Sequence, residues 1–228
     1  MRRPSFVLRL LAGLVAAWML GWLFSELSEE LSGTLLGSIE RSLMELVAAD
    51  RDRESVAFML AISSLGSALF FLFFSVGLAY LFLKRGRPLS AAMILIVTAG
   101  AGALSVGLKL VYNRPRPDVS PVLDLVSASF PSGHSLASVA IYGIAAYLLS
   151  LQVRWYWKPF VWTTYLLLAL LICISRVYLG VHWPTDVIGG ILAGGVWLVT
   201  CVLAYEVLLH VCRLRGVAGL TERDGRCL

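Results

Sequence analysis

The chain has 228 residues, of which 59% are hydrophobic and only 14% are charged, well below the roughly 25% of an ordinary soluble domain. Its formal net charge is +5, but the basic residues lie in short segments between apolar runs, which is typical of membrane topology and not of nucleic-acid binding. No C-x-x-C pair or metal-ligand spacing occurs among the four cysteines, so neither a disulfide framework nor a zinc site is expected at Cys173, Cys201, Cys212 or Cys227.

Hydropathy predicts six membrane-spanning segments. Each is taken as a helix, because backbone polar groups in lipid must be paired within their own segment. The first segment has no evident small-residue cleavage site, so it is interpreted as an anchor and not as a cleaved signal peptide. In chain order, the predicted spans cover residues 6–23, 56–83, 89–111, 134–151, 160–178 and 186–209.

The segment 24–55, between the first two spans, predicts an amphipathic helix. Its apolar residues recur at helical spacing, at Leu35, Leu36, Ile39, Leu43, Leu46 and Val47. Polar residues fall between them, at Ser38, Glu40, Arg41 and Glu45. Such a helix lies at a membrane interface, where two roles are open: helping to admit a lipid, or capping the helix bundle.

Two further features follow along the chain. The connection from Asn113 to Pro131 contains prolines at 115, 117, 121 and 131, which predicts an irregular loop. The last span carries a G-x-x-x-G pattern at Gly190 and Gly194, which favours close packing against another helix.

The basic residues orient the spans. With six spans, four basic segments fall on one side, which the positive-inside rule makes cytoplasmic: the start of the chain, the connections after the second and fourth spans, and the tail. Their basic residues are Arg2, Arg3, Lys84, Arg85, Arg87, Arg154, Lys158, Arg213, Arg215, Arg223 and Arg226. The opposite side receives the 24–55 segment, which holds eight acidic residues against three arginines. The fold class predicted is therefore all-α: one membrane-embedded domain over residues 1–228, a six-helix bundle with an extracytoplasmic interfacial helix.

Three polar clusters lie at ends of the predicted spans, where ionisable groups are costly and tend to mark functional sites. By the topology above, all three fall on the outer side and can converge. They are Lys109 with Arg114-Pro115-Arg116-Pro117, then Pro131-Ser132-Gly133-His134, and then Ser175-Arg176 with His182 and Asp186.

Each cluster taken alone also has a structural explanation. Lys109 and Arg116 are placed to extend towards lipid headgroups, Ser132 to cap a helix, and Asp186 to interact with a helix dipole. The combination is harder to explain in this way, because two of the three histidines lie beside three cations at one membrane face. The third, His210, lies near the other end and is interpreted as structural.

The combined set suits phosphoryl transfer, in which the charge on the phosphoryl oxygens needs fixed cations and hydrogen-bond donors. Lys109, Arg116 and Arg176 supply the charge. Ser132 and the backbone N–H of Gly133 add donors at a helix N-terminus, which already favours an anion.

A histidine nucleophile must be neutral and correctly oriented. Asp186, four residues after His182, can accept a hydrogen bond from the ring nitrogen that does not attack. His134 is then available as general acid for the leaving alkoxide and as general base for the incoming water. No carboxylate cluster suited to magnesium or manganese accompanies these residues, so catalysis without a metal or another cofactor is predicted.

The three clusters together resemble the signature of the type 2 phosphatidic acid phosphatase superfamily, K-x6-R-P, P-S-G-H and S-R-x5-H-x3-D. The resemblance implies a six-helix core with its site at the outer membrane surface. The six-residue spacing from Lys109 selects Arg116, and not Arg114, as the motif arginine. The family's nucleophile, acid and orienting carboxylate would be His182, His134 and Asp186, and its phosphate cradle would be Lys109, Arg116, Ser132, Gly133 and Arg176.

The resemblance implies an integral membrane lipid phosphatase of the bacterial cytoplasmic membrane, with membrane lipids and no nucleic acid as partners. Similar bacterial members act on undecaprenyl pyrophosphate, phosphatidylglycerophosphate or phosphatidic acid, and the motif residues do not select among these lipids. Two other functions stay open: a phosphotransferase with a lipid pyrophosphate donor, and a non-catalytic lipid-phosphate binding or transport protein. Vanadate-dependent haloperoxidases share the cradle, but they are soluble proteins.

Overall fold

The computed structural model describes residues 6–119, 121–123 and 127–214. Within these residues the regular structure is entirely helical, as predicted, and short 3₁₀ turns precede α2 and α7. The helices are α1 (Phe6–Glu29), α2 (Thr34–Ala49), α3 (Arg53–Ser64), α4 (Ala68–Lys84), α5 (Pro88–Tyr112), α6 (Gly133–Ser150, π-helical over Ser138–Tyr142), α7 (Lys158–Tyr178) and α8 (Pro184–Leu214). The predictions made for Arg2, Arg3, Arg215, Arg223, Arg226 and Cys227 lie outside the described residues.

Five described helices are long and apolar enough to cross a membrane, namely α1 and α5 to α8, and the bent pair α3–α4 makes a sixth candidate if it is counted as one span. This confirms the prediction of a multi-pass membrane protein. The first helix is longer than predicted, because α1 continues through residues 24–29 instead of ending near residue 23. Exposed aromatic rings at Trp155, Tyr156 and Trp157 form the kind of belt found where a span meets the membrane surface.

The predicted span over 56–83 is not one straight helix, since α3 and α4 meet at 45°. Ser67 starts a new helix by accepting a hydrogen bond from the backbone N–H of Phe70 (3.2 Å). The carbonyl of Leu65 accepts from the hydroxyl of Tyr142 (2.7 Å). A Cβ added at Gly66 would lie only 2.7 Å from Ile172 Cγ2. The chain therefore breaks at a residue whose missing side chain lets it approach α7 closely.

Helix α6 lies at the centre of the bundle. It is 72% buried, against 28% of α5 and none of α1. The G-x-x-x-G glycines of α8 pack on it. A Cβ added at Gly190 would lie 2.6 Å from the carbonyl oxygen of Ser132, and one added at Gly194 would lie 2.5 Å from the carbonyl oxygen of Leu136. The predicted close packing is confirmed, and it brings the N-terminal ends of α6 and α8 together.

The opposite end of the bundle is held by α1, which packs along α8. The ring of Phe6 stacks on His210 with 4.1 Å between centroids, and Arg9 pairs with Glu206 at 3.1 Å. His210 thus packs among residues from the far ends of α1 and α8, away from the three motif clusters, in agreement with its structural interpretation.

Helix α2 has the predicted amphipathic form. Leu35, Ile39, Leu43 and Leu46 are exposed, as expected of a face that contacts a membrane interface. The sequence grouped Glu40 with the other polar positions of α2, yet its side chain is only 3% exposed. A buried carboxylate requires partners, and those of Glu40 are described with the site.

Candidate active site

The three motif clusters meet at one cavity of about 410 Å³. It lies where the C-terminal ends of α5 and α7 approach the N-terminal end of α6. The convergence expected from the topology is therefore present. The predicted site residues that line this cavity are Lys109, Arg116, Gly133, His134, Arg176 and His182.

Two of the cations are held by neighbouring oxygen atoms. Lys109 Nζ donates to the carbonyl of Ala128 (2.8 Å), and Arg176 Nη1 donates to Ser63 Oγ. Arg176 is only 3% exposed, and its Nε has no hydrogen-bond partner among the described residues. A buried guanidinium with an unused donor beside a cavity suits an anionic oxygen as its remaining partner.

Among the described residues, the oxygen atoms that accept hydrogen bonds from Arg116 belong to the loops and not to carboxylates. Its Nη1 donates to the carbonyl of Val181 (2.6 Å) and its Nε to that of Ser127 (2.7 Å). Burial lowers the pKa of Arg116, with Asp186 opposing the shift, and the guanidinium stays charged because arginine is always protonated in proteins. Arg114 does not line the cavity, which agrees with the choice of Arg116 from the motif spacing.

The ring of His182 lies between the cavity and Asp186. Its side chain is 2% exposed, and its Nδ1 lies 3.4 Å from Asp186 Oδ2. Its Nε2 lies 3.4 Å from Arg116 Nη1. The Nδ1 contact is longer than an ordinary hydrogen bond, as catalytic contacts often are before substrate tightens them. Proximity of Nδ1 to a carboxylate oxygen favours the tautomer with the proton on Nδ1, which is the tautomer that the predicted role of His182 requires.

The electrostatics of this pocket keep His182 neutral. Burial lowers its pKa to about 4, and the positive charges of Arg176 and Arg116 act in the same direction, whereas Asp186 opposes them. An imidazole must be neutral to act as a nucleophile. His182 therefore has the required charge state at neutral pH.

Asp186 is fully buried, and both of its carboxylate oxygens are engaged. Oδ1 accepts from Arg114 Nη1 (2.7 Å), and Oδ2 accepts from the backbone N–H of Trp183 (2.9 Å). Its backbone carbonyl accepts from the N–H of Ser132 (2.8 Å). Asp186 is thus held in place at the first turn of α8, and it ties that turn to the start of α6.

Within the P-S-G-H motif, one residue caps α6 and others line the cavity. Ser132 is buried and does not line the cavity; its Oγ accepts from the backbone N–H (3.4 Å) and the hydroxyl (3.0 Å) of Ser135, so it caps α6. Gly133 lines the cavity, and a Cβ there would lie 2.8 Å from Ser105 Oγ. A phosphate contact by the Ser132 side chain stays a prediction, as do the roles of the other site residues.

Several residues of the site were not identified from sequence. Ser63 and Gly66 come from the break between α3 and α4, and the run Ser63-Ser64-Leu65-Gly66-Ser67 could have signalled that break. Glu40 and Thr185 form a buried network with Arg114. No local pattern links a glutamate on α2 to residues so distant along the chain.

Comparison with known proteins identifies the family to which these motifs belong. The family described as PAP2 superfamily matches residues 89–208, more than half of the chain. Phosphatidylglycerophosphatase B of Bacillus subtilis is 39% identical over 104 residues, which cover 45% of this chain and 51% of that protein. An undecaprenyl-diphosphatase of Sulfolobus acidocaldarius is 32% identical over 124 residues, 52% of this chain and 55% of that protein. The chain thus spans about half the length of these curated relatives.

The fold likeness extends beyond the family segment. A solved transmembrane PAP2-type phosphatidylglycerolphosphate phosphatase from Bacillus subtilis is 29% identical and superposes with a TM-score of 0.77, over 82% of this chain and 94% of that one. The family segment also contains every predicted site residue, from Lys109 to Asp186. The extent of the family match, joined to the site and to this fold, shows that the chain belongs to the PAP2 superfamily.

Proposed function

We propose that this protein is an integral membrane lipid phosphatase that hydrolyses a lipid phosphomonoester or pyrophosphate through a phosphohistidine at His182. The geometry of His182 carries the proposal, with Nδ1 facing Asp186 and Nε2 facing the cation-lined cavity beside Arg116. Binding of an anion would need the cations but not an oriented neutral imidazole. The relatives named for phosphatidylglycerophosphate and undecaprenyl diphosphate support this class of substrate.

In the first step, the lone pair of His182 Nε2 attacks phosphorus, and the bond from phosphorus to the leaving oxygen breaks. His134, which lines the same cavity, takes up a proton when the phosphate anion enters beside it and donates that proton to the leaving oxygen. Lys109, Arg116 and Arg176 stabilise the charge spread over the three equatorial oxygens. Asp186 stabilises the positive charge that develops on the His182 ring.

In the second step, a water molecule attacks the phosphohistidine. His134 takes a proton from this water, the bond between phosphorus and Nε2 breaks, and inorganic phosphate leaves. The acid of the first step is thus the base of the second, which restores the starting state of both histidines. No step requires a metal, and no group of three or more His, Cys, Asp or Glu side chains within the described ranges could hold one.

The cavity also supports a lipid substrate. Away from the cations and histidines its wall is mostly apolar and is formed by α4, α5 and α6, with Phe71, Ala101, Val106, Ala137 and Ile141 among its lining residues. A phosphate ester with an apolar chain would contact both parts of this wall, whereas a soluble phosphate would use only one. Undecaprenyl pyrophosphate, phosphatidylglycerophosphate and phosphatidic acid all have this form.

We propose that the whole chain forms one phosphatase domain whose motif core covers residues 89–209. In support, α1 packs along α8 and α3 packs along α7, so helices outside the core contribute to the same bundle. The wall of the cavity is complete only with α3 and α4 in place, because Gly66, Ala68 and Phe71 form part of it.

We place the protein in the bacterial cytoplasmic membrane with its cavity on the outer side. The distribution of basic residues supports this orientation. Labelling with a membrane-impermeant thiol reagent would test it, with Cys212 and Cys227 replaced by serine. Pro121→Cys, in the exposed loop after α5, should be labelled in intact cells, and Arg85→Cys after α4 should be labelled only after lysis. The reverse pattern would contradict the orientation.

Phosphate release by the purified protein in detergent and excess EDTA would test the reaction. Wild-type protein should release phosphate from at least one of the three lipids, and His182→Ala should release none while remaining folded. His210→Ala, the same change at the far end of the bundle, is the matched control and should keep activity. A phosphotransferase would instead transfer the phosphoryl group to an acceptor lipid and release no inorganic phosphate from it, so a phosphorylated acceptor would be its product. A binding protein would bind the lipids without turnover. Phosphate release by His182→Ala would contradict the assigned nucleophile.

A further inference from the structure

We propose that Glu40, on the interfacial helix α2, is a positioning residue for the nucleophile, and that it acts through Arg114 and Asp186. This inference rests on the proposed function, because it concerns how His182 is oriented for attack. Glu40 does not line the cavity, so it is not a ligand of the substrate. Its effect would be transmitted by a chain of buried hydrogen bonds.

The first link of this chain is the burial of Glu40 itself. It is 3% exposed, although α2 presents most of its residues to the surroundings. Its Oε2 accepts from Arg114 Nη2 (2.7 Å). Its Oε1 accepts from the backbone N–H (2.9 Å) and the hydroxyl (2.5 Å) of Thr185. A carboxylate taken out of water is stable only with partners of this kind.

The second link is Arg114, which joins two carboxylates. Its Nη2 donates to Glu40, and its Nη1 donates both to Asp186 Oδ1 (2.7 Å) and to Thr185 Oγ1 (2.7 Å). The guanidinium is 13% exposed, so water compensates little of its charge. Arg114 therefore pairs with both carboxylates, and Glu40 fixes the direction from which the guanidinium approaches Asp186.

The third link connects Asp186 to the nucleophile. Only Oδ1 of Asp186 is bound by Arg114, which leaves Oδ2 facing His182 Nδ1 at 3.4 Å. Glu40 also holds the N–H of Thr185 at the first turn of α8, one residue before Asp186. Without the charge of Glu40, Arg114 would be free to bind both oxygens of Asp186, as a guanidinium prefers, and Oδ2 would turn away from His182.

The test compares Glu40→Gln with Glu45→Gln, the same change at an exposed position of the same helix. Glu40→Gln should lower kcat by about 10- to 100-fold, the change in rate that corresponds to losing one hydrogen bond between charged groups. KM should not change, because the cavity keeps its cations. Glu45→Gln should match the wild type in both. An unchanged kcat in Glu40→Gln, or a change confined to KM or to thermal stability, would overturn the proposal.

Anion binding gives a second measure that does not depend on turnover. Orthovanadate takes the five-coordinate geometry of the transition state with a histidine nitrogen in an apical position, whereas inorganic phosphate needs only the cations. Calorimetric titration of Glu40→Gln should therefore show weaker orthovanadate binding and unchanged phosphate binding. If wild-type protein hydrolyses none of the lipids, the proposed function fails, but these titrations still decide the role of Glu40. Equal changes for both anions would overturn it.

A double-mutant cycle tests the path through Arg114. If Glu40 acts through Arg114, kcat of the double variant Glu40→Gln, Arg114→Gln should equal that of the slower single variant. Losses that multiply would overturn the path. Should Glu40→Gln fail to fold, Arg114→Lys tests the same connection between Glu40 and Asp186, because lysine keeps the charge but cannot bridge two carboxylates. It should weaken orthovanadate binding and leave phosphate binding unchanged, and unchanged binding of both would overturn the proposal.

Discussion

Replacing Asp186 by asparagine should nearly abolish turnover by placing the proton of His182 on the wrong nitrogen. Both oxygens of Asp186 act as acceptors, Oδ1 towards Arg114 and Oδ2 towards the N–H of Trp183, with His182 Nδ1 beside Oδ2. An asparagine amide has only one acceptor oxygen, and its NH₂ group donates. The charge-assisted bond to Arg114 is the stronger of the two, so the oxygen should stay there and the NH₂ group should face His182.

His182 Nδ1 would then have to accept a hydrogen bond, and the ring proton would move to Nε2, where it removes the attacking lone pair. The same exchange in a Ser-His-Asp triad lowers kcat by about 10⁴-fold, so a loss of about 10³- to 10⁴-fold is expected here, equivalent to about 4–5.5 kcal/mol. KM should change little, because Asp186 does not line the cavity.

Steady-state phosphate release in EDTA would measure this loss, and acid quenching with labelled lipid would show whether the phosphoenzyme still forms. Asp50→Asn, the same change at an exposed residue at the end of α2, provides the control and should behave as the wild type. A kcat for Asp186→Asn near the wild-type value would refute the tautomer argument, and with it the role of Asp186 in orienting His182.

Two further predictions concern charge and packing. In ¹⁵N-histidine NMR spectra, His182 should stay neutral down to about pH 4, and half-protonation near 6.5 would contradict this. Because the unfolded chain binds a proton there from about pH 6.5, stability should fall as pH is lowered between these values. Gly190→Ala should lower stability by about 1–3 kcal/mol, since its Cβ would lie 2.6 Å from the carbonyl oxygen of Ser132. Gly77→Ala is the control, because a Cβ added there would meet no atom outside its own helix backbone within 4 Å, and its melting temperature should equal that of the wild type. Equal melting temperatures for the two variants would contradict the packing argument.

The spans and the motif residues could be predicted because both leave a local record in the sequence. A membrane requires long apolar segments, and the predicted phosphate cradle draws on Lys109, Arg116 and Arg176, which stand out because ionisable residues at span ends are rare. The position of Glu40 left no such record, because its burial depends on Arg114, 74 residues away. Hydropathy counts a charge as exposed unless its partner is known, so the inward-facing side of α2 could be recognised only in the folded chain.

The break between α3 and α4 was missed for a related reason. Hydropathy over 56–83 is satisfied by a straight helix, yet a straight helix would keep the carbonyl of Leu65 within its own hydrogen-bond ladder. In the structure that carbonyl accepts from Tyr142 of α6, and Ser63 on the near side of the break accepts from Arg176. The break therefore exchanges intrahelical bonds for bonds to two helices that carry site residues.

Glu40 and the break share one property: both place polar groups of the N-terminal helices against the motif core. Ser63 holds Arg176, a cavity cation, while Glu40 holds Arg114 and, through it, Asp186. The family segment begins at residue 89, after both. Residues 89–208 thus contain the predicted cradle and nucleophile, but the bonds from Arg114 to Glu40 and from Arg176 to Ser63 form only when α2 and α3 are docked. A buried donor or acceptor that loses its hydrogen-bond partner is destabilising, so we expect the helices ahead of the family segment to support the geometry of the site as well as to anchor it.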